Sequence, residues 1–320
     1  MKRYVSYLGA LMRRHLALRR SLGFLLVNAE YTLLEFDRYL QRERPRARHV
    51  TRDIVVDYLE TTKPLAASTR HDRLAGLRQF CRFLFLFDAK TYVPSQGLLP
   101  PRRTLVKPHI FSNDDLAALL RQAGCLNTWS RLLPRTYTTI LGLLWVTGLR
   151  ISEVVKLSLQ DVDLETGILT IRESKFKKSR LVPLHASTVQ ALRSYRDARL
   201  LEVADSAPTA PFFINQRRRR FPCNTLRGTI RTLAQRAGVH TLAGRPPRVH
   251  DFRHTFATRT LTAIYRSGGD PFVRLPVLAT FLGHVSIANT QVYLHPSIEL
   301  LAQAGDRFSA HAGIGNRRVP

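Results

Sequence analysis

A basic segment with four prolines divides this chain of 320 residues near the end of its first third. The prolines are Pro94, Pro100, Pro101 and Pro108, and the basic residues among them are Arg102, Arg103 and Lys107. Proline fixes φ and lacks a backbone N–H, so the segment can continue neither a helix nor a sheet. The sequence therefore predicts an extended linker over 93–110, with a domain of ordinary size on each side.

The segment before the linker, 1–92, has the apolar periodicity of helices and no strand pattern. Apolar residues from Leu8 to Leu16 recur at helical spacing. A second helix is predicted from Arg52 to Leu59, and a third begins at Ser68, a favourable N-cap residue. We expect a small helical bundle.

The segment after the linker, 111–296, mixes helices with two short strands. Its first helix opens at Ser112 with a sequence typical of a capping box. The predicted strands Ile168–Arg172 and Arg180–Leu184 flank a lysine-rich turn. Further helices are predicted at Pro134–Thr147, Ile151–Leu157, Ser187–Glu202, Asn224–Ala237 and His250–Tyr265. The fold class expected for the whole chain is mainly α with a small β-sheet.

The charge of the chain predicts a polyanionic partner. Fifty Lys and Arg residues stand against 23 Asp and Glu, which gives a net charge of +27. Nucleic acid is the common partner of such a chain. A membrane surface is the alternative, but it would favour basic residues gathered on one amphipathic helix, and here they are spread over both halves. Double-stranded DNA is the expected partner, and no membrane is expected.

Other compositional features point to a cytoplasmic protein without cofactors. No stretch of sequence is apolar and long enough to cross a bilayer, and Arg13 and Arg14 interrupt the N-terminal apolar segment. Cys81, Cys125 and Cys223 form no close pair, which is against both a disulfide framework and a cysteine zinc site. We expect a prokaryotic, nucleoid-associated protein that needs no cofactor and no metal.

The segment Thr147–Glu153 contains the first candidate group for chemistry. Arg150 and Glu153 lie three residues apart on a predicted helix, where the carboxylate can orient the guanidinium. Taken alone, this pattern is usually a surface ion pair.

The second candidate group is His250-Asp251-Phe252-Arg253-His254. Arg253 can grip phosphate oxygens with its planar guanidinium, and His250 lies on the same helical face as a group that handles protons. His250 and His254 also have the spacing of zinc ligands, but no glutamate lies between them and no third ligand is evident.

The third candidate group is His284, followed nine residues later by Tyr293. A single tyrosine is usually a packing residue. Two arginines, two histidines, a lysine-bearing turn and a late tyrosine together supply the groups for phosphoryl transfer without a metal.

These segments occur in the order TGLRISE (147–153), ESKFKKSRLVPL (173–184), HDFRHTFAT (250–258) and LGHVSIANTQVYLH (282–295). In this order they resemble the phage integrase, or tyrosine recombinase, family, and the resemblance covers roughly 112–296. It implies a mixed α/β catalytic domain over 111–296. The N-terminal half resembles more weakly the family's helical, SAM-like core-binding domain.

The resemblance also implies a role for each matching residue. Tyr293 attacks the scissile phosphate and forms a 3′-phosphotyrosyl link. Arg150 and Arg253 bind the non-bridging oxygens with help from His284, and Glu153 supports Arg150. Lys175 protonates the leaving 5′-oxygen, and His250 assists proton transfer.

The lysine turn departs from the family pattern, because Ser174 and Phe176 flank Lys175 where glycine is common. Counting back from Leu181-Val182-Pro183-Leu184 selects Lys175. Lys177 would share its strand face, so the sequence leaves open which of Lys175, Lys177 and Lys178 is the general acid.

Further DNA contacts are predicted outside the active site. The candidate residues are Arg102, Arg103, Lys177, Lys178, Arg217, Arg218, Arg219 and Arg220. A solvated loop is as good an interpretation of the run 217–220.

The family resemblance implies a homo-tetramer on DNA, and the tail 297–320 is then interpreted as a helix exchanged between protomers. Packing of the tail on its own domain is the alternative. Accessory proteins are a further class of partner that the resemblance leaves open.

Three functions compete for this sequence. A site-specific recombinase serving a mobile element fits the ordered segments best. A type IB topoisomerase-like enzyme shares the tyrosine chemistry, and a non-catalytic DNA-binding protein would share the charge but lose active-site residues.

Overall fold

The computed structural model describes residues 4–24, 26–101, 107–126, 130–172, 179–283 and Thr290. The chain divides into two compact units, Met1–Val106 and Lys107–Pro320.

The first unit is a helical bundle in the part that the structure describes. Its helices are α1 (Gly9–Ser21), α2 (Val27–Glu43), α3 (Arg52–Thr61) and α4 (Ala67–Phe85). Met12, Phe36 and Phe80 are fully buried in its core. The bundle was expected, but α2 was missed. The prediction of Ser68 as an N-cap is wrong, since α4 follows Ala66 without a side-chain cap.

The first part of the proline-rich segment packs on this bundle. Leu99 is buried in its core. The Arg78 guanidinium donates hydrogen bonds to the carbonyls of Pro94 and Ser95, at 2.9 and 3.2 Å. A His71 ring nitrogen lies 2.9 Å from the carbonyl oxygen of Pro100. The first part of the predicted linker, as far as Pro100, is therefore held by side chains of α4.

The second unit combines helices with a three-stranded antiparallel sheet. The strands are β1 (Val162–Asp163), β2 (Ile168–Ile171) and β3 (Arg180–Pro183), in the order β1-β2-β3. Leu169 pairs with Val182, and both are fully buried. The helices are α5 (Asn113–Gly124), α6 (Leu132–Thr147), α7 (Ile151–Lys156), α8 (Ala186–Glu202), α9 (Cys223–Arg236), α10 (Asp251–Arg266) and α11 (Pro271–Leu282).

This architecture confirms the expected fold class, which is mainly α with a small sheet. The capping box of α5 is present: the Ser112 hydroxyl accepts from the Asp115 N–H at 3.0 Å, and the Asp115 carboxylate accepts from the Ser112 N–H at 2.9 Å. Strand β1 and helix α11 were not predicted. Within the described residues, no helix has the length and apolar character needed to cross a membrane.

Helix α6 lies at the centre of this unit and positions the site. It packs against α5, α8 and α10, and Ile140, Leu141 and Leu144 are fully buried. Each such side chain contributes about 1.5–3 kcal/mol through burial. The end of α6 is thereby fixed in the core, and the residues that follow it begin the candidate site.

Candidate active site

A glycine turn after α6 carries Arg150 to the start of α7. Gly148 caps α6 with φ +59°, a conformation that residues with a Cβ rarely adopt. A Cβ at this position would lie 2.7 Å from Cδ1 of Phe256. The tight turn and the close helix packing therefore both require glycine.

Arg150 and Glu153 form a local pair at the start of α7. The Arg150 Nη1 donates to Glu153 Oε1 at 2.8 Å, and the Arg150 backbone N–H donates to Oε2 at 2.9 Å. Glu153 is 5 % exposed, so the alternative of an ordinary surface pair does not describe this carboxylate.

Arg180, at the start of β3, binds the same carboxylate from the other side. Its Nη1 and Nη2 donate to Oε1 and Oε2 of Glu153 at 3.1 and 3.0 Å. Burial alone would raise the pKa of Glu153, but the hydrogen bonds and charge of Arg180, followed by those of Arg150, lower it below its ordinary value. Arg180 was not among the site residues predicted from the sequence.

Arg253, from the second predicted group, forms a hydrogen bond to the glycine turn that precedes Arg150. From α10, its Nη1 donates to the Gly148 carbonyl at 3.0 Å, and its Nη2 donates to the Leu282 carbonyl at 2.6 Å. The Arg150 Nη2 donates to the adjacent carbonyl, that of Gly283, at 3.3 Å. Two guanidiniums far apart in sequence therefore meet at the end of α11, directly before His284.

The rings of His250 and His254 pack edge to face at the start of α10, with their centroids 5.1 Å apart. His250 keeps an exposed surface although protein atoms surround much of its ring. This desolvation, with the positive charges of His254, Arg253 and Arg248, lowers the pKa of His250 to about 4. His250 is therefore neutral at pH 7, and its ring is a weaker base than that of an ordinary histidine. Within the described residues, no three His, Cys, Asp or Glu side chains are grouped to hold a metal ion.

A positively charged pocket of about 440 Å³ opens beside Arg150. Besides Arg150 and His250, its lining includes the basic residues Arg227, Arg231 and Arg248. The last three were not predicted from the sequence. The four-residue spacing of Arg227 and Arg231 on one helix is the signal that could have identified that pair.

The arginine run 217–220 forms a turn in which one member differs from the rest. Arg217, Arg218 and Arg219 are exposed, and Arg218 has φ +58°. Arg220 turns inward and donates to the carbonyls of Val155 and Leu157 at 2.6 and 3.1 Å, and to the Ser158 hydroxyl at 3.0 Å. In this structure the Arg220 guanidinium thus supports the fold, whereas its three neighbours are exposed and can face a ligand.

Several predicted site residues lie outside the described part of the chain. They are Arg102, Arg103, Lys175, Lys177, Lys178, His284 and Tyr293, together with the tail 297–320. Their roles stay predictions.

Residues 112–299 match the sequence model of the phage integrase family. The chain is 38 % identical over 304 residues to the integrase/recombinase-type protein y4rB of Sinorhizobium fredii. The matched region covers 93 % of this chain and 95 % of that protein. It is 32 % identical over 235 residues to the tyrosine recombinase XerD of Rhizobium meliloti, covering 72 % of this chain and 70 % of XerD.

A solved structure shares the fold. The Tn1549 transposon integrase, in complex with a circular intermediate DNA, superposes with a TM-score of 0.65 at 17 % identity. The match covers 93 % of this chain and 99 % of that one.

Proposed function

This chain belongs to the phage integrase family of tyrosine recombinases, and on that premise we propose that it is a site-specific recombinase whose nucleophile is Tyr293. The proposed reaction cuts and rejoins DNA strands through a 3′-phosphotyrosyl intermediate. The proposed biological role is to serve a mobile element by integration, excision or transposition.

One observation carries the proposal: Arg150 and Arg253 converge on the adjacent carbonyls of Leu282 and Gly283. This end of α11 leads directly into the segment that contains His284 and Tyr293. A phosphate bound between the two guanidiniums would therefore lie close to the start of that segment.

The charge of the site suits a phosphodiester transition state. Negative charge grows on the non-bridging oxygens during attack, and fixed cations lower the barrier most where that charge develops. Arg150, whose side chain is 24 % exposed, is available to such oxygens. Arg253 is 1 % exposed, so a phosphate contact by this residue requires its surroundings to open when DNA binds.

The proposed cleavage step balances without a cofactor. The phenolic oxygen of Tyr293 forms a bond to phosphorus while the bond from phosphorus to the 5′-oxygen breaks. The phenolic proton passes to a base, for which neutral His250 is the described candidate, and Lys175 donates a proton to the leaving 5′-oxygen. Rejoining reverses these transfers. The phosphotyrosyl ester conserves the bond energy, so ATP is not needed. In the proposed reaction the arginine side chains supply the positive charge that a metal ion would otherwise provide.

DNA contacts beyond the scissile phosphate are assigned to basic residues on the same unit. Arg227 and Arg231 line the pocket beside Arg150, and Arg217–Arg219 project from an exposed turn. Each guanidinium that neutralises a phosphate releases counterions, so affinity should fall steeply with salt.

The assembly and biological role are proposed from the relatives. A homo-tetramer on DNA, with the tail 297–320 exchanged between protomers, follows from the family resemblance, and accessory proteins are further candidate partners. The mobile-element role is proposed because y4rB is an integrase/recombinase-type protein and because the Tn1549 integrase, which shares the fold, is the integrase of a transposon. Because the proposed substrate is genomic DNA, we propose a nucleoid-associated location in the prokaryotic cytoplasm.

A trapping experiment with randomised DNA tests the activity even though the target sequence is undefined. The full chain is incubated with a pool of duplexes that carry a randomised segment and a nick at varied positions within it. A nick near the cleavage point lets the short fragment diffuse away, which traps the covalent adduct. Adducts are captured under denaturing conditions and their DNA is sequenced.

The expected result is adducts on one sequence motif, together with joined products when a second duplex offers a free 5′-hydroxyl. Tyr293→Phe should abolish the adduct, and the control Tyr265→Phe should leave it. Adducts spread over many sequences would instead indicate a topoisomerase-like enzyme. Binding without any adduct would indicate a non-catalytic DNA-binding protein.

A further inference from the structure

We infer that Arg180 is a positioning residue for strand cleavage: by sharing buried Glu153 with Arg150, it keeps the charge of Arg150 available to the DNA phosphate. The inference rests on the proposed recombinase function and concerns a residue to which the sequence motifs gave no role.

The geometry gives Arg180 the larger share of the carboxylate. It donates one hydrogen bond to each Glu153 oxygen, at 3.1 and 3.0 Å, in a two-pronged arrangement. Arg150 donates one side-chain bond, to Oε1, at 2.8 Å. The Arg180 side chain is 9 % exposed, against 24 % for Arg150. Arg180 is therefore the inner partner and Arg150 the outer one.

The charge balance of the three side chains depends on Arg180. Two guanidiniums and one carboxylate leave a net charge of +1, and the more exposed cation is Arg150. Without Arg180, Glu153 and Arg150 would form a neutral pair. The field at a phosphate beside Arg150 would then be much weaker, because a carboxylate within a few ångströms cancels most of it.

Arg180 also connects the elements that carry the other predicted groups. Its Nε donates to the Phe281 carbonyl at 2.8 Å, near the end of α11. Its Nη1 lies 2.7 Å from the place where a Cβ on Gly283 would stand, so glycine at 283 gives the guanidinium room. Through this contact one side chain joins β3, α7 and the end of α11.

A purely structural ion pair is the competing explanation, since removing one partner of a buried pair is destabilising in any protein. The two explanations differ in a double variant. Arg180→Met removes the counter-charge, and Glu153→Gln then removes the charge that Arg180 had balanced. If the electrostatic role dominates, the second change restores cleavage. If stability alone matters, the second change removes further hydrogen bonds and restores nothing.

The experiment measures single-turnover formation of the covalent adduct on the nicked duplex selected above, together with DNA affinity and thermal stability. Arg180→Met should cleave about 10- to 100-fold more slowly, by analogy with the loss seen when a residue that orients a metal ligand is replaced, with nearly unchanged DNA affinity. Arg180→Lys, which keeps the charge, should retain most of the rate. Arg180→Met combined with Glu153→Gln should cleave faster than Arg180→Met alone, by about tenfold, which is the lower end of that range.

Arg199→Met is the matched control. Arg199 is also a buried arginine of this unit, and the bonds found for it go to backbone carbonyls, those of Pro211 and Asp205. It should lower the melting temperature without slowing cleavage selectively. Wild-type cleavage by Arg180→Met, equal slowing by Arg199→Met, or a double variant no faster than Arg180→Met would overturn the inference. Absence of any adduct with the wild-type chain would instead refute the proposed function.

Discussion

Replacement of Gly148 by alanine tests how strictly the turn after α6 holds the site together. Gly148 adopts φ +59°, and a Cβ there would stand 2.7 Å from Cδ1 and 3.1 Å from Cβ of Phe256. The nearer atom belongs to a ring packed against Phe281, so it cannot move aside freely. The same residue offers its carbonyl to Arg253 at 3.0 Å.

The expected loss of stability has two parts. A left-handed conformation destabilises a residue with a Cβ by about 1–2 kcal/mol. Overpacking against Phe256 adds about 1–3 kcal/mol. We therefore expect Gly148→Ala to lower the free energy of unfolding of the second unit by about 2–5 kcal/mol, and to slow cleavage because the bond from Arg253 is displaced.

Gly142→Ala is the matched control, because Gly142 lies within α6 and a Cβ there would meet nothing within 4 Å. It should raise stability by up to about 1 kcal/mol through better helix propensity. The assay is urea unfolding followed by tryptophan fluorescence, since the two tryptophans of the chain, Trp129 and Trp145, both fall within the residue range of the second unit. Equal effects of the two substitutions, or an unchanged Gly148→Ala variant, would refute the reasoning.

Three further predictions follow from buried or clustered basic residues. Burial, with the nearby charge of Arg19, lowers the pKa of His15 from 6.5 to about 4, so the unfolded chain binds a proton at a higher pH than the folded chain does. As pH falls from 6.5 to 4, the free energy of unfolding should therefore drop by about 3 kcal/mol more in wild type than in His15→Leu. Urea unfolding followed by circular dichroism measures this difference. Arg227→Ala and Arg231→Ala should each lower the slope of log affinity against log salt by about 1; unchanged slopes would exclude these phosphate contacts. Arg220→Met should destabilise the chain by about 1–3 kcal/mol because its hydrogen-bond partners lose their donor, whereas Arg217→Met should leave the urea midpoint unchanged.

The sequence predicted the helices and strands whose signals are local. The ends of α6, α8, α9 and α10 agree with prediction to within about two residues, because apolar periodicity and helix-ending residues mark them. Helix α2 was missed although Leu33, Phe36 and Leu40 recur along it, since it begins after Leu26 at φ +51° with no capping side chain. Helix α11 contains Pro276, and proline inside a helix weakens the local helix signal. Strand β1 has two residues and depends on its pairing with β2.

The candidate site was predictable where residues close in sequence share one helix turn. The pairing of Arg150 with Glu153 was of this kind. The family resemblance then predicted that the segments containing Arg150 and Arg253 belong to one active site. Arg180 lies 27 residues from Glu153, and its part in the site depends on how β3 packs beside α7. The inward turn of Arg220 likewise depends on carbonyls more than sixty residues away. A run of arginines alone gives no sign of which member faces the protein interior.

The identity of the nucleophile is the claim on which the proposed chemistry depends most directly. Digestion of the trapped adduct, followed by mass spectrometry, would locate the nucleotide on the chain. The proposed reaction predicts one modified peptide, with a 3′-phosphonucleotide on the phenolic oxygen of Tyr293. A nucleotide on a different side chain, or an adduct that persists in Tyr293→Phe, would contradict it.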